Sequence, residues 1–197
     1  MKGTLLAICL CLLIAASVHA AEKSKGEAMF DVLHARKSVR SFTGAPVSRD
    51  DLDKILRAGM AAPTARNQQP WSFVTVTDRK TLDLLVAGLP STKMLTKAGA
   101  AIIVCTEPDK AAGKSKELAI IDASLAGENI LLAVEALGLG AVWTAVYPNG
   151  DLMAHVRSVL DIPSSVIPLN VIPVGMPTGE DKPKDKYKKE KIHWEKW

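Results

Sequence analysis

The sequence predicts one α+β domain with a C-terminal arm, preceded by a short leader. Three observations carry this. Residues 71–77 and 100–106 are rich in β-formers and read as strands. Around them lie segments with capping residues and apolar positions at helical spacing. No internal repeat and no mid-chain linker divides the 197 residues. That length suits one domain able to bury a core without disulfides or metals. With 48% apolar residues and a net charge of +4, the chain is too apolar and too weakly charged to be disordered.

The leader comes first. Within MKGTLLAICLCLLIAASVHA the one charged residue is Lys2, and an apolar run from Leu5 to Ala16 follows. Val18-His19-Ala20 offers a cleavage site before the polar Ala21-Glu22-Lys23. This is the layout of a secretory signal peptide over residues 1–20, and it predicts a periplasmic or secreted protein. The apolar run is short for a membrane span of roughly 20 residues. Cleavage removes Cys9 and Cys11 and leaves Cys105 alone in the apolar run AAIIVC, where it reads as a buried strand residue. One cysteine excludes an intramolecular disulfide and a cysteine zinc site.

The domain is expected over residues 21–179 and its arm over 180–197. A helix is expected over 26–37, then a turn at RSFTGAP. Ser48 with Asp51 opens a second helix carrying Leu52, Ile55, Leu56 and Met60. After the polar loop 63–70 comes the strand WSFVTVT, and Asp78 caps a helix carrying Leu82, Leu85 and Val86. The buried strand 100–106 leads to the longest helix, 115–137, which is apolar around most of its girth and so belongs in a core or at a subunit interface. A strand over 141–146, a helix ending near Leu160 and a last strand within 165–175 complete the domain. Pro168 and Pro173 predict bends or a sheet edge in that last strand.

The positive charge is unevenly placed. The arm carries seven lysines and five acids, and the body from 21 to 179 has a net charge of only +1. A nucleic-acid partner would need a basic face of a size this body lacks. Four short segments could carry chemistry. Arg36 and Arg40, four apart, would share a face of a helical turn, and with Lys37 and Ser38 they could surround a phosphate or simply form a solvated helix end. The loop Pro63-Thr64-Ala65-Arg66-Asn67-Gln68-Gln69-Pro70 packs three amides that suit a planar heterocycle, or an ordinary turn. The segment GLGAVWTA precedes a strand rather than following one, which excludes a dinucleotide fingerprint. The arm spaces Lys184, Lys186 and Lys188 two apart. His34, His155 and His193 stand alone and no HExxH or carboxylate cluster predicts a metal.

Taken in order, RxSxR, PxxxNxQPW, a long helix with Asp122-x-Ser124 and Asn129, GLGAVW, VIPVG and a lysine-rich tail ending in HWEKW resemble the nitroreductase family of flavoproteins, in its compact branch. The resemblance spans nearly all of residues 27–197. It implies a central mixed or antiparallel sheet flanked by helices, in a domain-intertwined homodimer with FMN at the subunit interface. It places Arg36, Lys37, Ser38 and Arg40 at the FMN phosphate, with Lys186 where the family usually has an arginine and Lys184 beside it. Lysine offers a point charge in place of a bidentate fork. Asn67 and Gln69 would bond the pyrimidine edge of the flavin, Pro63, Thr64 and Ala65 would line the ring from the partner subunit, and Trp143, Thr144 and Ala145 would pack near it.

The implied activity is hydride transfer through flavin N5, from a reduced nicotinamide or another donor to nitroaromatic, quinone or similar acceptors, by a ping-pong mechanism. The chemistry belongs to the flavin, so no catalytic side chain is assigned. The alternative of a different class is an exported flavin-binding or electron-carrying protein without NAD(P)H oxidoreductase activity. No nucleic-acid partner is expected, and no membrane beyond the signal segment.

Overall fold

The computed structural model describes residues 24–197. The expected signal segment lies outside the described residues. The chain divides between Leu33 and His34 into two units. Helix α1 (Lys25–Ala35) has no buried residue. Ser24 and Glu27 open it reciprocally: the Ser24 hydroxyl accepts the Glu27 N–H at 3.2 Å and the Glu27 carboxylate accepts the Ser24 N–H at 2.9 Å.

The expectation that the first helix reaches Lys37 is corrected: residues 36–40 lie outside any helix. Val39 is buried and donates its N–H to the Ala141 carbonyl at 2.9 Å, whereas Ser38 and Arg40 are exposed. Arg36 and Arg40 therefore do not share a face through a helical turn.

Helix α2 (Arg49–Met60) starts where the capping pattern predicts, with the Ser48 hydroxyl accepting the Asp51 N–H at 3.0 Å. Strand β1 (Trp71–Val76), helix α3 (Arg79–Gly88) on its Asp78 cap, strand β2 (Ala100–Thr106) and helix α4 (Lys116–Ala136) follow. Then come the short strands β3 (Gly140–Ala141) and β4 (Thr144–Ala145), helix α5 (Gly150–Leu160) and strand β5 (Ile167–Gly175). The sheet runs β1-β2-β5-β3, with β4 also on β5, and every pairing is antiparallel.

The sheet separates two apolar clusters, as strand alternation requires. Ile102 and Val104 of β2 pack with Leu52 and Ile55 of α2 and with Ile130 and Val134 of α4. Ala101, Ile103 and Cys105 face the other way, onto Leu82 and Leu85 of α3 and Val156 of α5.

Two expectations about the last strands are corrected. β5 is no edge: it sits between β2 and the β3/β4 pair and is buried along its length. The prolines mark interruptions instead. The β2–β5 register shifts between the Val104↔Asn170 and Cys105↔Pro168 pairs. The expected strand 141–146 is broken in two, although its register against β5 is continuous from Gly140↔Gly175 to Ala145↔Asn170. That register sets Val142 opposite Pro173, which has no N–H to donate, and the ladder lapses there.

α4 is the longest helix among the described residues, and it is apolar on most sides. Ala126, Gly127, Ile130 and Val134 are buried, but Ile121 and Leu125 are 54% and 42% exposed. Among the described residues, no helix is long and apolar enough to cross a membrane.

Candidate functional site

After β5 the chain turns back along residues 40–43. Thr43 donates its N–H to the Met176 carbonyl and Thr178 to the Ser41 carbonyl, both at 3.0 Å, and Phe42 bridges to Pro177. The Asp181 carboxylate then accepts the N–H groups of Arg40 at 2.9 Å and Ser41 at 3.2 Å. This zipper lays the arm beside the RKSVR segment. Between them opens a cavity of about 580 Å3, lined by Arg36, Lys37, Ser38 and Arg40 on one side and by residues 180–184 and Lys186 on the other. The expected phosphate-binding residues are thus gathered from positions some 150 apart in sequence.

The cations there are not equivalent. The Lys37 ammonium meets both Glu135 oxygens on α4, at 2.9 and 3.1 Å, and is largely buried in that pair. Its side chain is committed to structure. Arg36 lies 3.5 Å from a half-exposed Glu128 oxygen, a loose contact in solvent. The remaining cations, Arg40, Lys182, Lys184 and Lys186, belong to exposed residues.

A second cavity, of about 560 Å3, adjoins through Arg40, which lines both. Its other walls are Pro90, Ser91, Lys93 and Met94 from the turn after α3, and Trp143, Thr144 and Ala145. Two of these wall residues are held from behind. The indole of Trp143 fits against Gly127 of α4, where an added Cβ would come within 2.5 Å of the ring. The Thr144 hydroxyl donates to the Val171 carbonyl. A charged end and a partly aromatic end therefore share one arginine.

Pro63, Thr64, Ala65, Asn67 and Gln69 line neither cavity. They form a strained loop: Arg66, Asn67 and Gln69 all have positive φ, at 54°, 54° and 51°. Such conformations cost about 1 kcal/mol or more each and recur at functional sites. The loop is tied down by few bonds. The Thr64 hydroxyl accepts the Gln69 N–H at 3.1 Å, and Asp122 of α4 accepts the Ala65 N–H at 3.1 Å. The Gln69 amide donates to the Asn67 side-chain oxygen at 2.9 Å, so the two amides present one exposed polar edge.

Among the described residues, two buried side chains are incompletely satisfied: one Asp122 oxygen and both polar atoms of Asn170, which is paired with Ala145. Cys105 offers no chemistry, because burial pushes its thiol up to about 12 and keeps it protonated. His155 is occupied by the Leu84 carbonyl at 3.0 Å.

Sequence reasoning missed Lys93 and Asp181, and noted Asp122 only as part of a motif on the long helix. Lys93 lies in an irregular turn with no motif around it, and Asp181 is one of five acids in a mixed-charge arm. Asp122 left a signal, as one of the few polar residues along that helix.

Comparison with known proteins bears on this arrangement. The model of the nitroreductase family matches residues 33–89 and 86–176. A protein of Archaeoglobus fulgidus, provisionally named NADH dehydrogenase/NAD(P)H nitroreductase, is 37% identical over 87% of this chain and 99% of its own length. One of the same provisional name from Methanothermobacter thermautotrophicus is 38% identical over 93% and 95%. A crystal structure from Parabacteroides distasonis, again under that name, superposes with a TM-score of 0.80 at 46% identity, over 86% of this chain and 98% of that one. An FMN-dependent nitroreductase from Clostridium difficile superposes with a TM-score of 0.78 at 26% identity, over 85% and 99%. With its α+β fold of an antiparallel sheet between helices, this chain belongs to the nitroreductase family.

Proposed function

We propose that the chain is an FMN-dependent oxidoreductase that uses a reduced nicotinamide, or another donor, to reduce nitroaromatic, quinone or similar acceptors. One observation carries the proposal: the two cavities joined at Arg40 match a molecule with a phosphate at one end and a flat ring at the other. The donor set fits FMN. Arg40, Ser38 and the arm lysines offer charge-assisted hydrogen bonds to a phosphate, and Trp143, Met94 and Ala145 offer contact area for a ring. The family's relatives named for NAD(P)H and FMN support the same reading. Bound there, FMN supplies hydride acceptance at N5 and electron delivery to a second substrate.

The chain's own residues have three tasks. Arg36, Ser38, Arg40, Lys184 and Lys186 hold the phosphate, with Lys37 keeping α4 against that segment through Glu135. Lys93 stands in the ring cavity as a cation able to favour negative charge on the reduced ring. Asn67 and Gln69, both exposed, present donors and acceptors for the pyrimidine edge.

The functional unit is a homodimer on this reading. The exposed Ile121 and Leu125 of α4 lie beside half-buried Leu118 on one apolar stripe, and a partner would cover it. The strained 63–69 loop, which lines neither cavity of its own chain, would then serve the partner's ring. We assign the protein to an exported compartment on the strength of the leader sequence alone.

The purified chain is expected to show a flavin absorption spectrum, or to acquire one on adding FMN, and to oxidise NADH or NADPH with a nitroaromatic or quinone acceptor. A colourless protein that does not bind FMN would refute the cofactor. FMN binding without turnover would leave an electron-carrying protein. Light scattering of a monomer at micromolar concentration would refute the dimer.

A further inference from the structure

We infer that Asp181 is a latch that positions the arm, so that Lys184 and Lys186 become the second wall of the phosphate site. The inference rests on the FMN reading above. Asp181 makes the last contact of the zipper, with one carboxylate oxygen accepting two successive N–H groups, Arg40 and Ser41. Beyond it, the arm's hydrogen bonds run within the arm, from Lys182 to the Gly179 carbonyl and from the Tyr187 N–H to Asp185. Residues 182–197 are all exposed. Nothing else among these bonds fixes where the two lysines stand.

The geometry also involves a conflict. A carboxylate in a cavity meant for phosphate is a like charge, and it opposes the ligand it helps to receive. Two effects of opposite sign therefore meet in one side chain. Holding the arm favours phosphate binding by ordering flexible lysines beforehand. The negative charge disfavours it. Substitutions can separate the two, because asparagine keeps an oxygen that accepts both N–H groups and removes the charge, whereas alanine removes both.

The experiment measures dissociation constants of the full chain for FMN and for riboflavin, which lacks the phosphate, by flavin fluorescence. Asp181→Ala is expected to weaken FMN about five- to twentyfold, the scale of one or two hydrogen bonds, and to leave riboflavin unchanged. Asp181→Asn is expected to bind FMN as well as the unmodified chain or more tightly. In a chain already carrying Lys184→Ala and Lys186→Ala, Asp181→Ala is expected to cause no further loss of FMN affinity, since a latch acts through what it positions. Trypsin should cut the arm of the ligand-free Asp181→Ala chain faster than that of Asp181→Asn. Undiminished FMN affinity in Asp181→Ala, or an equal loss with both lysines absent, would overturn the latch. Equal affinity of the unmodified chain for FMN and riboflavin would remove the phosphate site itself. An undiminished preference for FMN over riboflavin in Asp181→Ala would remove the latch alone.

Discussion

Strands β2 and β5 run side by side through the sheet, and all seven residues of the first and all nine of the second are buried. From Lys182 to Trp197 none is buried, and Trp194 and Trp197 stand 81% and 101% exposed. The strands are stabilised by their own apolar contacts on both faces and need no ligand. The arm is held at its root by the zipper ending at Asp181 and supplies lysines to the cavity. On the proposed reading, stability and ligand recognition reside in different parts of one chain, and substitutions can perturb them separately.

The sharpest way to break that separation is at the sheet centre. Ile103 is fully buried against α3 and α5. Ile103→Ala is expected to cost about 2–5 kcal/mol, transfer and cavity terms together, read as a lower urea midpoint. Its FMN affinity, measured where the variant is folded, should stay within about twofold. A large loss of affinity at unchanged stability would show that core and site are not separable.

The complementary perturbation is Arg40→Ala. Arg40 lines both cavities and is an exposed residue. Its removal should weaken FMN by about 1.5–3 kcal/mol, the scale of a hydrogen bond to a charged group, with little change in urea midpoint. Unchanged FMN affinity would sink the assignment of Arg40.

Gly127→Ala tests one place where the packed interior meets a cavity wall. Alanine normally stabilises a helix interior relative to glycine. Here its Cβ would fall 2.5 Å from the Trp143 ring. The indole must move, at a net cost of about 1–2 kcal/mol, and it moves toward the ring cavity that it lines. We expect reduced stability together with altered tryptophan fluorescence and weaker flavin binding. A stabilised variant with unchanged fluorescence would show that Trp143 is not wedged there.

The same division explains what could be read from sequence. The caps at Ser48 and Asp78 and the apolar runs of β1, β2 and α4 are local, so residue order alone displays them. The strand 141–146 was misjudged because its interruption depends on Pro173, a residue that becomes its neighbour only through the register of β5. The RKSVR segment reaches its cavity as irregular backbone outside any helix, fixed by the bond from Val39 to Ala141. Asp181 acts on backbone 140 residues away and leaves no pattern beside itself. Long-range partners of irregular backbone are where sequence periodicity is silent.

The smallest effect comes from the structural counterpart of Asp181. Asp78 also holds a segment with one carboxylate oxygen, which accepts the Thr81 N–H at 2.8 Å and the Thr81 hydroxyl at 2.7 Å to start α3. The Thr81 hydroxyl, followed by its N–H, holds the Asp78 carboxyl below its ordinary value of 3.8. A depressed folded value means stability that is present above pH 3.8 and is lost as pH falls through the folded value. Asparagine keeps the cap and cannot titrate. Between pH 6 and pH 3, Asp78→Asn should therefore lose slightly less in melting temperature than the unmodified chain, with FMN affinity at neutral pH unchanged. Equal losses would show that the cap carries no charge dependence. A change in FMN affinity would show that α3 is coupled to the site, and that the separation of core and arm fails at Lys93.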